Sequence, residues 1–242
     1  MEESIRINKY LSQAADCSRR QADHMLLEGR VLVNGSIAKT GQMVSSLDEV
    51  ALDGHKLNML KNCVVLAWYK PVGVTCTEKD AHASKTIRDV FSYPVRLTYA
   101  GRLDRDSEGL LLLTNDGQLI QNLMRGAYGH EKEYVVKVDR EITDSFLQKM
   151  AQGIYLKDLK QTTRPCEITK EGRYTFRIIL TQGLNRQIRR MCAALGYQVK
   201  ILKRIRVANI LLQDLKPGQY REITGEELSK LYATVHLNSH EM

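Results

Sequence analysis

Gly101-Arg102-Leu103-Asp104-Arg105-Asp106-Ser107-Glu108-Gly109 runs on into Leu110 to Leu113 and then into Thr114-Asn115-Asp116-Gly117. A short charged turn is set against an apolar strand, and capping residues for a helix follow at once. Asp and Glu are almost never fully buried without a partner, and Arg102 and Arg105 closely flank Asp104. A carboxylate between guanidiniums is expected to stay ionised, and an ionised, positioned carboxylate can act as nucleophile or general base. The same residues would also suit a surface ion-pair loop on a stable strand. Taken alone, they leave both readings open.

Outward from this stretch, strands and helices are interspersed. Val64 to Trp68 is a β-rich run ended by Lys70-Pro71. Thr114-Asn115-Asp116 can cap a helix through Leu119, Ile120 and Leu123. Tyr134, Val136 and Val138 alternate along a strand. Thr143 can cap a helix containing Phe146, Leu147 and Met150, stopped by Gly153, and Tyr174 to Leu180 is again strand-like. Asn185 is expected to cap a helix with Ile188, Met191, Cys192 and Leu195 on its apolar face and Gly196 at its end. A basic strand follows, with Val199, Ile201, Ile205 and Val207 expected on one side and Lys200, Arg204 and Arg206 on the other. Thr224 and Glu227 have the spacing of a reciprocal cap for a last helix. This order implies an α+β domain with a mainly antiparallel mixed sheet and flanking helices.

The first sixty residues form a different pattern. Ile7, Tyr10, Leu11 and Ala14 recur at helical spacing, and Ser18 with Gln21 makes a capping box for a second helix that Gly29 closes. Val31 to Val33 leads into Asn34-Gly35, a strong hairpin-turn signal. Asp53-Gly54 marks another turn, and Asn58 to Asn62 reads as a linker. A domain over 1–60 and another over 61–242 are therefore expected.

The net charge of +8 points to a polyanionic partner, usually nucleic acid. The charge is local: Arg186, Arg189, Arg190, Lys200, Lys203, Arg204 and Arg206 fall between residues 185 and 206 with no acid among them. Residues 1–60 hold seven cations against eight acids, so RNA affinity there must come from one face. Five scattered cysteines without a C-x-x-C pair suggest reduced thiols and a cytoplasmic protein. The N-terminus does not read as a signal peptide, and the apolar runs are too short to span a bilayer, so no membrane association is expected. The histidines, His24, His82 and His130 among them, lack paired metal-ligand spacing, and no metal site is expected.

The N-terminal unit resembles the alpha-L RNA-binding domain shared with small-subunit ribosomal protein S-four. The resemblance rests on Arg6-Ile7-Asn8-Lys9-Tyr10-Leu11, Ser18-Arg19-Arg20-Gln21-Ala22 and Gly29-Arg30-Val31-Leu32-Val33-Asn34-Gly35. It implies an RNA face made of Arg6, Lys9, Arg19, Arg20 and Lys39. Without it, these charges are simply solvated positions.

Across the whole chain, four pieces in order resemble the RsuA/RluB/RluE/RluF family of pseudouridine synthases, most of all its RluF branch. They are Tyr69-Lys70-Pro71-Val72-Gly73-Val74, Gly101 to Gly117, Lys132-Glu133-Tyr134, and Gly183-Leu184-Asn185-Arg186-Gln187-Ile188-Arg189-Arg190-Met191. The resemblance implies isomerisation of a uridine within RNA, moving ribose from N1 to C5. It places the catalytic aspartate at Asp104, the active-site tyrosine at Tyr134, and at Arg189 an arginine that pairs with the catalytic carboxylate. Arg102, Arg105, Lys70, Arg186 and Arg190 become substrate-binding candidates. The reaction moves no electrons to an acceptor and transfers no group, so no cofactor is implied.

Three other chemistries compete. Asp104, Asp106 and Glu108 alternate and, if extended, would share one face suited to Mg²⁺, as in a nuclease; the flanking glycines and Arg105 favour a turn instead. Glycoside hydrolysis needs carboxylates across a sugar, not neighbours in one loop, and no glycine-rich turn suits a methyltransferase cofactor. A non-catalytic RNA-binding assembly factor is the main non-enzyme alternative. The expected substrate is ribosomal RNA, most of all that of the large subunit, with tRNA as the alternative; a monomer is expected.

Overall fold

The computed structural model describes residues 4–15, 17–58, 63–77, 85–124 and 129–237. Residues 59–62 of the expected linker and His82 lie outside them. The chain divides into two compact units, Met1–Cys63 with Tyr93–Leu97, and Val64–Ser92 with Thr98–Met242.

In the first unit, β1 (Ile5–Arg6) leads into α1 (Ile7–Ala14), followed by α2 (Arg19–Leu27), β2 (Val31–Val33), β3 (Ser36–Ile37), β4 (Met43–Val44), β5 (Val50–Leu52) and β6 (His55–Lys56). Ser18 starts α2 by accepting from the Gln21 amide, while Gln21 returns the bond to the Ser18 amide. That reciprocal cap satisfies donors a helix start would otherwise leave open. Strands β3-β2-β5-β6 form one antiparallel sheet, and β1 pairs with β4. Ile7, Leu11, Ala22, Leu26, Val31 and Val50 fill the core between helices and sheet.

The second unit is built on a sheet containing β7 (Val65–Lys70), β8 (Thr98–Ala100), β9 (Glu108–Thr114), β10 (Lys132–Val138), β13 (Glu167–Gly172), β14 (Thr175–Leu180), β15 (Val199–Val207), β16 (Ile210–Leu211) and β17 (Tyr220–Glu222). Its main order is β13-β14-β10-β15-β9-β7-β17, antiparallel except for the parallel β15–β9 pair. Helices α3 (Gly117–Met124), α4 (Asp144–Gln152), α5 (Gln187–Ala194) and α6 (Gly225–Leu237), and a small β11 (Tyr155–Leu156) and β12 (Gln161–Thr162) hairpin, complete it. Asp116 caps α3 through the Gln118 and Leu119 amides, and Thr143 caps α4 through that of Phe146.

Two apolar cores flank this sheet. Val65, Leu110, Leu112, Leu119, Leu123 and Leu231 pack around α3 and α6. Val136, Phe146, Phe176, Ile178, Ile188 and Met191 pack around α4 and α5. At about 25 cal/mol per Å² of buried apolar surface, such cores are what hold the loops between them in place. Among the described residues, no helix is long and apolar enough to cross a membrane.

Three local expectations are corrected. Asn185 does not cap α5; the preceding position is Arg186, with a left-handed backbone at φ 50 and no capping bond from its side chain. Asn185 instead accepts from Arg190. Glu227 does not close a reciprocal cap, because its carboxylate takes both Arg221 amino groups at 2.6 and 2.7 Å. Finally, β15 does not alternate simply. Glu133 pairs with Arg206 while Tyr134 pairs with Arg204, leaving Ile205 as an extra residue in a bulge. The bulge reverses the phase of the strand, so Arg204 and Arg206 face opposite sides of the sheet.

Candidate active site

The loop carrying Asp104 is strapped down by backbone bonds before any side chain is considered. Ser107 N donates to Asp104 O at 3.0 Å, and Gly73 N to Arg105 O at 2.7 Å. Gly109 has φ 104, and a Cβ there would lie 2.2 Å from the Arg204 carbonyl oxygen. Only glycine allows β9 and β15 to approach so closely. Lys70, fully buried, donates to Pro71 O at 2.9 Å and Ser107 O at 2.7 Å. Burial pushes its pKa down. Lys70, expected among the substrate-binding residues, thus sits as a support beneath the loop with no exposed surface.

Asp104 lines a cleft of about 440 Å³ together with Tyr134, Arg102, Arg105 and Arg186. These residues come from the Gly101–Ser107 loop, from β10 and from the segment leading into α5. Among the described residues, the ion pair of Asp104 is made by Arg186, Nη1 to Oδ2, at 3.7 Å. Arg102 and Arg105 make none with it, so the expected clamp of neighbouring guanidiniums is replaced by a cation from 82 residues further along the chain.

Arg189 has partners other than the one expected. Its guanidinium does not pair with Asp104. It donates to Asp106 O at 2.7 Å, Ser107 Oγ at 3.3 Å and Val199 O at 3.2 Å, with Nε 3.3 Å from the Asp106 carboxylate. Arg186 also takes Asp106 through two bonds, at 3.1 and 2.8 Å. The hydrogen bonds from Arg186 hold the Asp106 carboxyl below the ordinary range. Arg189 therefore fastens the loop from behind, while Arg186 spans its two aspartates. Its left-handed backbone is the local strain that this reach accompanies.

Arg190 pairs with Asp158 and donates to the Asn185 carbonyl, and it is not among the residues that line the cleft. The three alternating carboxylates also diverge. Asp106 is held by two arginines, and Glu108 accepts from Tyr69 Oη at 2.9 Å. They do not converge as a metal triad would. In the first unit, Arg6, Arg19, Arg20 and Lys39 are exposed and Lys9 half-buried.

Among the cleft residues that the sequence does not mark as site residues are two cations, Lys132 and Arg204. Lys132 donates to His130 O at 3.1 Å. Arg204, only 2% exposed, donates through Nε to Leu110 O at 2.7 Å and, at a long 3.5 Å, through Nη1 to Arg102 O. A signal existed for Lys132: it stands two residues before Tyr134 and so shares its face of the strand. None existed for Arg204, whose direction depends on the bulge.

Residues 64–194 match the family described as RNA pseudouridylate synthase, and residues 5–50 match the S4 domain. The dual-specificity RNA pseudouridine synthase RluF of Escherichia coli K12 is 40% identical over 243 residues, covering all of this chain and 83% of its own length. The ribosomal large subunit pseudouridine synthase B of Bacillus subtilis is 35% identical, covering 94% of this chain and 96% of its own. A crystal structure of a pseudouridylate synthase, 31% identical, superposes with a TM-score of 0.69 over 94% of this chain and 99% of that one.

Proposed function

The chain belongs to the RNA pseudouridylate synthase family, and we propose that it isomerises a uridine within ribosomal RNA to pseudouridine, using Asp104 as its catalytic carboxylate. The observation that carries the assignment is the meeting of Asp104 and Tyr134, thirty residues apart in sequence, in one cleft edged by Arg102, Arg105 and Arg186. Asp104 either attacks the anomeric carbon or removes the neighbouring ribose proton. Arg186 holds it beside Asp106, and Arg189 and Lys70 fix the backbone under it.

The target base must leave its stack to reach Asp104, at a cost of a few kcal/mol. Stacking against the Tyr134 ring returns about 1–3 kcal/mol, and the exposed Arg102 and Arg105 meet phosphates. The first unit adds RNA contact through Arg6, Lys9, Arg19, Arg20 and Lys39. Large-subunit RNA is the preferred substrate on the likeness to the Bacillus subtilis protein. The Escherichia coli relative is named for dual specificity on RNA, so a second RNA class is tried as well, with tRNA as the one chosen.

The test is release of tritium from RNA labelled at uridine C5, comparing ribosomal RNA with tRNA. Wild type should release it without added metal or cofactor, and Asp104→Asn should lose at least about 10³-fold in rate. Tight RNA binding with no release from either RNA would favour the assembly-factor reading. Undiminished release by Asp104→Asn would remove Asp104 from the chemistry.

A further inference from the structure

Arg204, buried, and Lys132, half-buried, are two cations of the cleft with no role in the reaction proposed above. They sit on neighbouring strands: Arg204 of β15 is the direct cross-strand partner of Tyr134 in β10, and Lys132 lies two residues before Tyr134. Side chains of direct cross-strand partners share a face, with Cβ atoms about 4.5–5.5 Å apart. Lys132, Tyr134 and Arg204 thus line the same cleft as Asp104.

Charge balance here is unusual. Among the described residues, Lys132 and Arg204 make no ion pair with a carboxylate; their bonds run to the carbonyls of His130, Leu110 and Arg102. Arg204 Nη2 is buried with no hydrogen-bond partner. Burial and the neighbouring Arg204 push the Lys132 pKa down to about 8. The charged and titratable groups that share the cleft with Lys132 are Tyr134 of its own strand, Arg204 of β15, Arg102, Asp104 and Arg105 of the loop, Cys76, and Arg186 before α5. An unpaired buried cation with open donors is stabilised by an anion brought to it.

We propose that Lys132 and Arg204 form the receptor for the negative charge that develops on the uracil ring when its bond to ribose breaks. The inference rests on the isomerase reading above. As the N1–C1′ bond breaks, its electron pair leaves with the base, giving a uracil anion whose charge spreads onto the ring oxygens. This holds whether Asp104 bonds to C1′ or takes the H2′ proton. The anion then attacks C1′ from C5, and C1′ is released from Asp104, or C2′ regains its proton. The C5 proton departs and N1 takes one up, so the product is an isomer of the substrate. With its ring against Tyr134, the base meets both cations from the sheet side, where charge appears only after bond breaking. Donors of this kind favour the transition state over the ground state and act on rate rather than on RNA affinity.

Single-turnover tritium release and RNA affinity should therefore be measured for wild type, Lys132→Met, Lys132→Arg and Arg204→Lys. Lys132→Met should bind RNA within about twofold of wild type and react about 100-fold more slowly. Lys132→Arg, which keeps the charge, should recover most of that rate, and Arg204→Lys should again lose rate with affinity kept. Wild-type rate in Lys132→Met, no recovery in Lys132→Arg, or a loss confined to RNA affinity would overturn the proposal. The last would make the pair a phosphate site. Wild-type protein that releases no tritium from any RNA would instead overturn the isomerase reading, and this inference with it.

Discussion

Replacing Lys132 by methionine should make the folded protein more stable. The lysine is half-buried beside Arg204, and no carboxylate among the described residues pairs with it. Its pKa falls from the ordinary 10.5 to about 8, a difference equivalent to roughly 3 kcal/mol at about 1.4 kcal/mol per tenfold change. Methionine keeps most of the apolar stem and removes the charge, but the bond to His130 O is lost, at a cost of about 1 kcal/mol. The net gain at pH 7 is about 2 kcal/mol. For a unit of this size, that raises the melting temperature by about 4–8 °C.

The sign can be checked by pH. The unfolded chain holds the lysine proton up to about pH 10.5, whereas the folded protein releases it near 8. The penalty is therefore complete below pH 8, declines between these values and is gone above them. Calorimetric scans of wild type and Lys132→Met at pH 7 and pH 9 should show the variant melting higher at both. Their stability gap should shrink by about 1 kcal/mol at the higher pH. A variant less stable than wild type, or a gap unchanged between the two pH values, would refute the reasoning.

Gly109→Ala should destabilise the second unit by at least about 3 kcal/mol, because left-handed strain adds to a backbone overlap that cannot relax without parting β9 from β15; a melting temperature within 2 °C of wild type would contradict this at ~2–4 °C per kcal/mol. Asp106→Asn should leave RNA affinity near wild type but slow single-turnover release by roughly tenfold, because Arg186 and Arg189 lose the carboxylate that places them. As the Asp106 carboxyl is held below its ordinary range, the stability it supplies is complete above that range and lost as pH falls through the folded value. Urea midpoints at pH 7 and 3.5 should then show a gap below about 1 kcal/mol that narrows on acidification.

Local rules made much of this architecture legible. Ser18 with Gln21, Asp116 before α3, and Thr143 before α4 cap helices as their side-chain chemistry demands. The charged turn between Gly101 and Gly109 was visible because its ends need backbone freedom and its interior has no apolar period. Features that depend on distant partners were not visible. The parallel register of β15 against β9 brings Arg204 beside Gly109, residues 95 positions apart. One extra residue at Ile205 turns Arg204 into the cleft and leaves Arg206 to pair with Glu133 on the opposite face. Arg186 leaves the helical region of the backbone and reaches Asp104 and Asp106, so a position that reads as the first turn of a helix becomes part of the site.

These long-range placements also explain why Lys132→Met should move two measurements in opposite directions. A residue kept only for packing would lose stability and activity together when cut back. Lys132 costs the empty protein stability because its charge is desolvated beside Arg204 before any anion is present. An RNA whose target base is still neutral relieves little of that cost. Relief comes as the glycosidic electron pair moves onto the base, and an interaction strengthened at that moment lowers the barrier without tightening the ground state. A melting temperature that rises while the rate of a bound substrate falls would therefore separate stored electrostatic strain from ordinary structural support. If both fell together, Lys132 would belong with Lys70, as a prop for the loop rather than a partner of the base.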